Sequence, residues 1–512
     1  MGIATRTQIA DPTLPLLIQG GMGVAVSNHR LARAVAITGH LGVVSGTAID
    51  LVLVRRLQDG DPDGEMRNAM AQFPLPAIAD QVLQRYFLPG GRRERPYRGI
   101  SMHSHRDTHA SQDLLVLAAF VEVMLAKRDH HGRIGINVLT KVQTPTVPTL
   151  FGAMLAGVDY VLMGAGIPRE VPGVLDRLAA MEPVETQLDV TGASAAGMIP
   201  HLRFDPNRFN ISSAPSRPAF LPIVSSHTLA TVLARKANGS VEGFIVEAPT
   251  AGGHNAPPRG TPTHDAIGQP LYGERDRVDL AAMRALGLPF WLAGGRDSPA
   301  RVRDALADGA TGVQVGTLFA FCRESGIAPA LRLAVLETVD RGREFVLTSS
   351  RASSTGYPFK VASVPGTLSD QEVYAARTRR CDLGYLREAY VKPLGGIGYR
   401  CPGEPVADYV AKGGEASATA GRLCLCNGLA ATVGLGQVRV AGAEPGIITS
   451  GDGLGAIRTM RNDHDDYSAA DVVTYLMSGM SGVRGASAAS CGPRPVARKQ
   501  GSRLENQHER CV

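Results

Sequence analysis

A few short stretches hold the residue types from which a reaction centre can be built. In EAPTAGGHNAPPRG (Glu247 to Gly260) the pair Gly252 and Gly253 comes directly before His254. An imidazole has an ordinary pKa near neutrality, so on a constrained loop it suits the movement of a proton on carbon. The chain has 13 histidines, and a lone histidine is more often structural. Position singles out His254, because it follows an apolar strand and a Gly-Gly turn. His29, His130, His131, His227 and His264 lack that context and are expected on the surface or in loops. Further along, AGG (Ala293 to Gly295) and VQVGT (Val313 to Thr317) end two apolar runs. Glycines there let backbone N–H groups point at an anion, with the Thr317 hydroxyl as a further donor. The same glycines would also serve tight strand-to-helix turns.

Near the start, LLIQGGMGVAVSN (Leu16 to Asn28) runs from an apolar strand into a glycine cluster. A dinucleotide-binding Rossmann unit needs G-x-G-x-x-G and a carboxylate ending the second strand. Here Gly21 and Gly23 are followed by Val24, Ala25 and Val26, and the next strand ends in Ser45, Gly46 and Thr47. On both counts a Rossmann site is not expected. Cys381, Cys401, Cys424 and Cys426 lie in CDLGY, GYRCPGEP and RLCLCNGL. Four thiols could hold zinc or an iron–sulfur cluster. The spacing lacks a C-x2-C knuckle, so reduced, partly buried thiols are expected and no metal ligand is assigned.

The elements that must position these groups follow from periodicity. Short apolar runs recur at 16–20, 41–46, 133–140, 159–166, 220–226, 243–248, 289–295 and 311–317. Several are apolar throughout rather than alternating, as expected for parallel strands buried on both faces. Helical stretches such as LARAVAITG (31–39), LATVLARKANG (229–239) and ARVRDALADGA (300–310) separate them. Eight strand–helix units predict an α/β fold, a (β/α)8 TIM barrel, with its chemistry at the C-terminal ends of the strands and phosphate held after strands seven and eight. That places Gly294–Gly295 and Gly316–Thr317 where an anion belongs. Insertions are expected at about 50–131 and 184–219. The barrel domain is taken as 1–367, with residues up to Thr367 closing it and carrying SSRASSTGYPFK. A cysteine-bearing, cap-like C-terminal extension follows over 368–480, and a disordered tail over 481–512.

Composition limits the function classes. The 512 residues are 44% hydrophobic and 20% charged, with a net charge of +6, 59 glycines and 33 prolines, as in a folded globular protein. The basic stretches GGRRERPYR (90–98) and RPVARKQGSR (494–503) do not interleave aromatics, so no nucleic-acid partner is expected. The longest apolar run, DLLVLAAFVEVML (113–125), is too short to span a bilayer and carries Glu122, so no membrane association is expected. No signal-peptide core is visible in MGIATRTQIADP, and seven cysteines, an odd number, suit a reducing compartment. A cytoplasmic location is expected.

Taken in order, IQGGMG, GINVLT on the third strand, GAGIP after the fourth, AGGH after the sixth, AGG on the seventh and VQVGT on the eighth resemble the FMN-dependent nitronate monooxygenases, formerly called 2-nitropropane dioxygenases. The resemblance covers about residues 14 to 325. The long form, with GGHNAPPRG, YPFK and the cysteine-bearing part, is similar to the enoyl reductase subunit of polyunsaturated fatty acid and polyketide synthases. GGHNAPP departs from the GGH-R/I-G form of the simpler members. The resemblance implies FMN, with Gln19, Gly20, Gly21 and Met22 along the flavin ring and Asn137 and Lys141 on its polar side. It implies Gly294, Gly295, Gly316 and Thr317 at the phosphate, with Gln314 nearby, and Gly253 and the proton-transfer residue His254 beside the reactive nitrogen. The implied activity is oxidation of alkyl nitronates with oxygen to a carbonyl compound and nitrite. The alternative is reduction of an enoyl thioester by NAD(P)H through FMN, with an acyl carrier protein as partner. A second alternative is an inactive scaffold or interaction subunit. The oligomeric state, a homodimer included, is left open.

Overall fold

The computed structural model describes residues 14–440, 442–462 and 464–480. Eight of its strands form the barrel: β1 (Leu17–Gln19), β2 (Gly42–Ser45), β3 (Ile134–Leu139), β4 (Tyr160–Gly164), β5 (Ala219–Val224), β6 (Phe244–Glu247), β7 (Phe290–Ala293) and β8 (Gly312–Val315). They pair in parallel in the order β1-β8-β7-β6-β5-β4-β3-β2. The ring closes at a short seam, where Ile18 bridges Leu41 and the Gln19 N–H donates to the Leu41 carbonyl at 2.9 Å. Each apolar run singled out in the sequence is one of these strands, and the chain is a TIM-type (β/α)8 barrel.

Two faces of each strand are buried for different reasons. Inward, Ile18, Val43, Leu162, Leu221, Ile245 and Trp291 fill the barrel as a packed core rather than a pore. Outward, the strands meet helices begun by side-chain caps: Asn28 accepts from Leu31 N–H at 2.9 Å, and Ser226 accepts from Leu229 N–H at 3.0 Å. The helix His109–Lys127 lies between β2 and β3. At 19 residues it is longer than its apolar run and passes a length-and-composition test for crossing a membrane, which corrects the argument from length. It is instead a core helix, packed against the outer barrel wall. Its Glu122 is buried and paired, 2.7 Å from Arg56 and 3.2 Å from His29. His29 is therefore no surface residue, contrary to expectation: it is 5% exposed, and its backbone N–H also donates to Glu122 at 2.7 Å.

The last barrel strand ends at Val315, so the segment up to Thr367 does not close the barrel. It forms an antiparallel hairpin, β9 (Val346–Ser349) and β10 (Phe359–Ala362), that lies against the loop carrying His254. The extension then packs across the mouth: Leu383, Tyr385, Ala430 and Leu435 join Val24, Leu51 and Val142 in one apolar cluster. Leu368, Leu425 and Ile447 join the hairpin's Phe359 and Val361 in another. Within the 184–219 insertion, Val190–Thr191 pairs with the extension's strand Glu388–Val391, a long-range contact that no local pattern encodes. The described residues from Leu14 to Met477 belong to one compact unit, and the tail expected over 481–512 lies outside the described residues.

Candidate active site at the barrel mouth

The C-terminal ends of the strands open into one large pocket. Its interior volume is about 220 Å³, and it opens to solvent at its mouth. Of the residues singled out in the sequence, Gly20, Gly21, Met22, Asn137, Gly253, His254, Gly294, Gly295, Gln314, Gly316 and Thr317 all line it.

Two do not. Gln19 is fully buried behind the glycine turn, where Nε2 donates to Ser27 Oγ at 2.8 Å and Oε1 accepts from Val43 N–H at 3.0 Å. It ties β1 to β2 through these two bonds. Lys141 is also off the wall of the pocket, with its ammonium 5.1 Å above the Tyr357 ring. The glycines of the first turn have a protein-side reason as well. A Cβ on Gly21 would stand 2.2 Å from Asn137 Cβ, and Gly23 has φ +54, in the left-handed region. Their smallness seats Asn137 and turns the chain before it serves any ligand.

His254 is held from three sides. The hairpin grips its loop, with Lys360 N–H donating to Gly253 O and Asn255 N–H to Pro358 O, both at 2.9 Å. Its Nε2 lies 2.7 Å from Ser353 Oγ, and its ring meets Phe359 edge-on with centroids 4.9 Å apart. Burial pushes its pKa down to about 4, so the imidazole is neutral at pH 7. The extension supplies the third side: Gly253 N–H donates to Thr449 Oγ1 at 3.0 Å.

At the far end, Gly294 and Gly295 have φ +86 and +62, backbone that glycine adopts without strain. Gly316 has no such need. A Cβ there would make only an ordinary contact, 3.4 Å from Met22 Sδ, so the protein itself does not require a glycine at this position. Thr317 Oγ1 accepts the Gly451 N–H at 3.0 Å, so the stretch Thr449–Gly453 of the extension completes this end of the pocket. Arg296, next to the glycine pair, lines the pocket with a buried Nε that has no partner. Asn137 Oδ1 and Gln314 Oε1, elsewhere around the same pocket, are likewise buried and unpartnered. Buried polar atoms are normally satisfied, so three orphans around one pocket fit a ligand with polar edges and an anionic end.

Two features escaped the sequence reading. Arg296 stands next to the glycines singled out there, and a cation beside an anion-binding turn was the available signal. Glu247, at the end of β6, lines the pocket with a carboxyl that has no hydrogen-bond or ion-pair partner among the described residues, and burial pushes its pKa up to about 8. The four cysteines of the extension come together around a small adjoining cavity, and Cys426 lines both. Cys401, hydrogen-bonded by Cys381, is lowered to about 7. Among the described residues no group of three or more His, Cys, Asp or Glu is arranged to hold a metal ion.

A sequence model of the nitronate monooxygenase family matches residues 183–356, which carry β5 to β8 and the His254 loop. The match is to a family of oxidoreductases. No curated protein sequence matches the chain. Among solved structures the chain is similar to FabK from Thermotoga maritima, at 16% identity over 92% of this chain and 94% of that one, with a TM-score of 0.43. It is similar to a nitroalkane oxidase from Streptomyces ansochromogenes at 15% identity, over 93% and 98% of the two chains, with a TM-score of 0.44. The enoyl reductase domain of MlnA, from the macrolactin biosynthesis cluster of Bacillus amyloliquefaciens, is 9% identical over 91% and 96%, with a TM-score of 0.43.

Proposed function

We propose that the protein is a flavin-dependent oxidoreductase that binds FMN in the barrel mouth and oxidises alkyl nitronates with oxygen. The observation that carries this reading is the set of three buried, unpartnered polar atoms, Asn137 Oδ1, Gln314 Oε1 and Arg296 Nε, around one glycine-rich pocket. The family match over 183–356 supports it. Asn137 and Gln314 would take the polar edge of the ring, and Gly294, Gly295 and Arg296 the phosphate. The flavin supplies the redox chemistry.

The protein's own residues orient and exclude. Gly20 and Gly21 keep the first turn low. The hairpin and the extension close over the pocket, which limits water at the reacting carbon. His254, neutral and fixed by Ser353 and Phe359, stands where it can take or return a proton.

A second reading is favoured by one observation. The extension lines the pocket with Leu386, Leu425, Leu429 and Ile447, an apolar wall suited to an acyl chain. That supports reduction of an enoyl thioester, with NAD(P)H as reductant and an acyl carrier protein as donor of the chain. Anaerobic spectroscopy of FMN-loaded protein separates the two. Bleaching of the flavin by propyl-2-nitronate and not by NADPH is the expected result. Bleaching by NADPH alone transfers the assignment to the reductase, and failure to bind FMN removes both.

A further inference from the structure

Glu247 ends β6 at the wall between two cavities. One is the large pocket it shares with His254. The other is a smaller cavity on the far side, lined by Ser225, Asn255, Arg259, Tyr272 and Asp276. The residue is half-buried and lines both cavities. Among the described residues its carboxyl has no hydrogen-bond or ion-pair partner. Protein carboxylates at such depth are ordinarily paired, and an unpaired one is held by keeping its proton.

The neighbouring charges do not alter this. On the pocket side the titratable groups are His254, Arg296, Asp297, Tyr385 and Cys426. Across the side cavity stand Arg259, Tyr272 and Asp276. Asp297 lies 3.6 Å from Arg301, and Arg259 takes Asp276 through its own backbone N–H at 2.8 Å. Burial alone raises Glu247, to about 8, so at pH 7 it is a carboxylic acid.

We propose that Glu247 serves as a neutral carboxylic acid that donates its O–H to an anionic oxygen of the bound substrate. This deepens the function proposed above and rests on it for the substrate. A nitronate carries such an oxygen from the start, and an enoyl thioester gains one as it becomes an enolate, so the same donor suits either. An ionised Glu247 would repel that oxygen. The neutral acid accepts it, as a carboxyl kept protonated by an apolar site does in general. The arrangement accounts for a carboxyl left without a protein partner in a pocket whose His254 is also uncharged.

The test uses nitrite, a small planar oxyanion, with binding measured by calorimetry on the purified full-length protein. Infrared spectroscopy reads the protonated carboxyl independently. Wild-type protein at pH 7 is expected to show a carboxylic-acid C=O band that disappears in Glu247→Gln and titrates near pH 8. Nitrite affinity is expected to fall by up to about tenfold per pH unit above that midpoint. Glu247→Gln keeps an N–H donor and is expected to bind nitrite with little pH dependence, whereas Glu247→Leu binds about tenfold or more weakly at pH 7. Absence of the band, absence of nitrite binding at pH 7, or identical pH profiles for wild type and Glu247→Gln overturns the inference. If the band and the nitrite profile appear but FMN does not bind, the donor stands and the flavin reading falls.

Discussion

The hydroxyl of Thr317, at the end of the last barrel strand, accepts the backbone N–H of Gly451 at 3.0 Å. The same stretch of the extension meets the His254 loop, where a Cβ on Gly252 would stand 2.9 Å from the Gly451 nitrogen. A phosphate-type turn and a candidate proton-transfer loop are thus tied to one strip of chain more than a hundred residues away. Thr317→Val removes the acceptor and leaves the Gly451 N–H unpaired. FMN affinity, followed by fluorescence quenching, is expected to fall about tenfold. Thr317→Ser should restore it.

Gly21 is fixed by Asn137. Gly21→Ala sets a methyl 2.2 Å from Asn137 Cβ, so the barrel mouth must shift. A loss of about 1–3 kcal/mol in chemical denaturation is expected, together with weaker FMN binding. Because the clash is with a Cβ, Asn137→Ala in the same chain leaves the loss in place. Asn137→Gly relieves it.

His254 is held neutral by burial, with its pKa lowered to about 4. Its own titration therefore gives no acidic limb to the kcat/KM profile between about pH 5 and 7. His254→Asn is expected to keep the flavin spectrum and lose about 10²-fold or more in turnover. A variant with unchanged turnover on both nitronate and enoyl thioester would remove His254 from the reaction.

His103 bridges two carboxylates, with Nε2 2.8 Å from Asp50 and Nδ1 2.8 Å from Asp107. Burial opposes its protonation, but the Asp50 charge and the hydrogen bonds to both carboxylates win and raise its pKa to about 10. Asp50 in turn accepts from Tyr385, whose ring lines the pocket, at 2.7 Å. A histidine raised on folding contributes stability that is complete below about 6.5 and lost as pH rises through about 10. His103→Leu leaves Asp50 buried without its cation, so a cost of about 3–5 kcal/mol at pH 7 is expected from urea unfolding. The gap to wild type should narrow from pH 7 to pH 10; a gap that widens would show that His103 is not the charged partner.

Much of this protein was legible before folding was considered. Parallel strands buried on both faces must be nearly continuous apolar runs, and glycines must mark turns where the chain reverses tightly. The eight strands and the positions of His254 and the glycine pairs followed from those local demands. Gln19, Asn137, Lys141 and Gln314 were placed by resemblance alone. Gln19 proved to be committed to Ser27 and Val43, partners that only the closed barrel brings together. His29 was expected on the surface or in a loop because Glu122, its partner, lies 93 residues away.

The amino-acid sequence by itself determined the barrel, the end of it that bears chemistry, and the residue types gathered there. Only the tertiary structure decided the protonation states and the closure. A carboxyl or imidazole takes its charge from its surroundings, and burial moves Glu247 up and His254 down until both are neutral at pH 7. The hairpin and the stretch Thr449–Gly453 complete the pocket through contacts with His254, Gly253 and Thr317, far removed in sequence. No periodicity within either segment could specify those contacts, because they depend on which surface the barrel presents once it has closed.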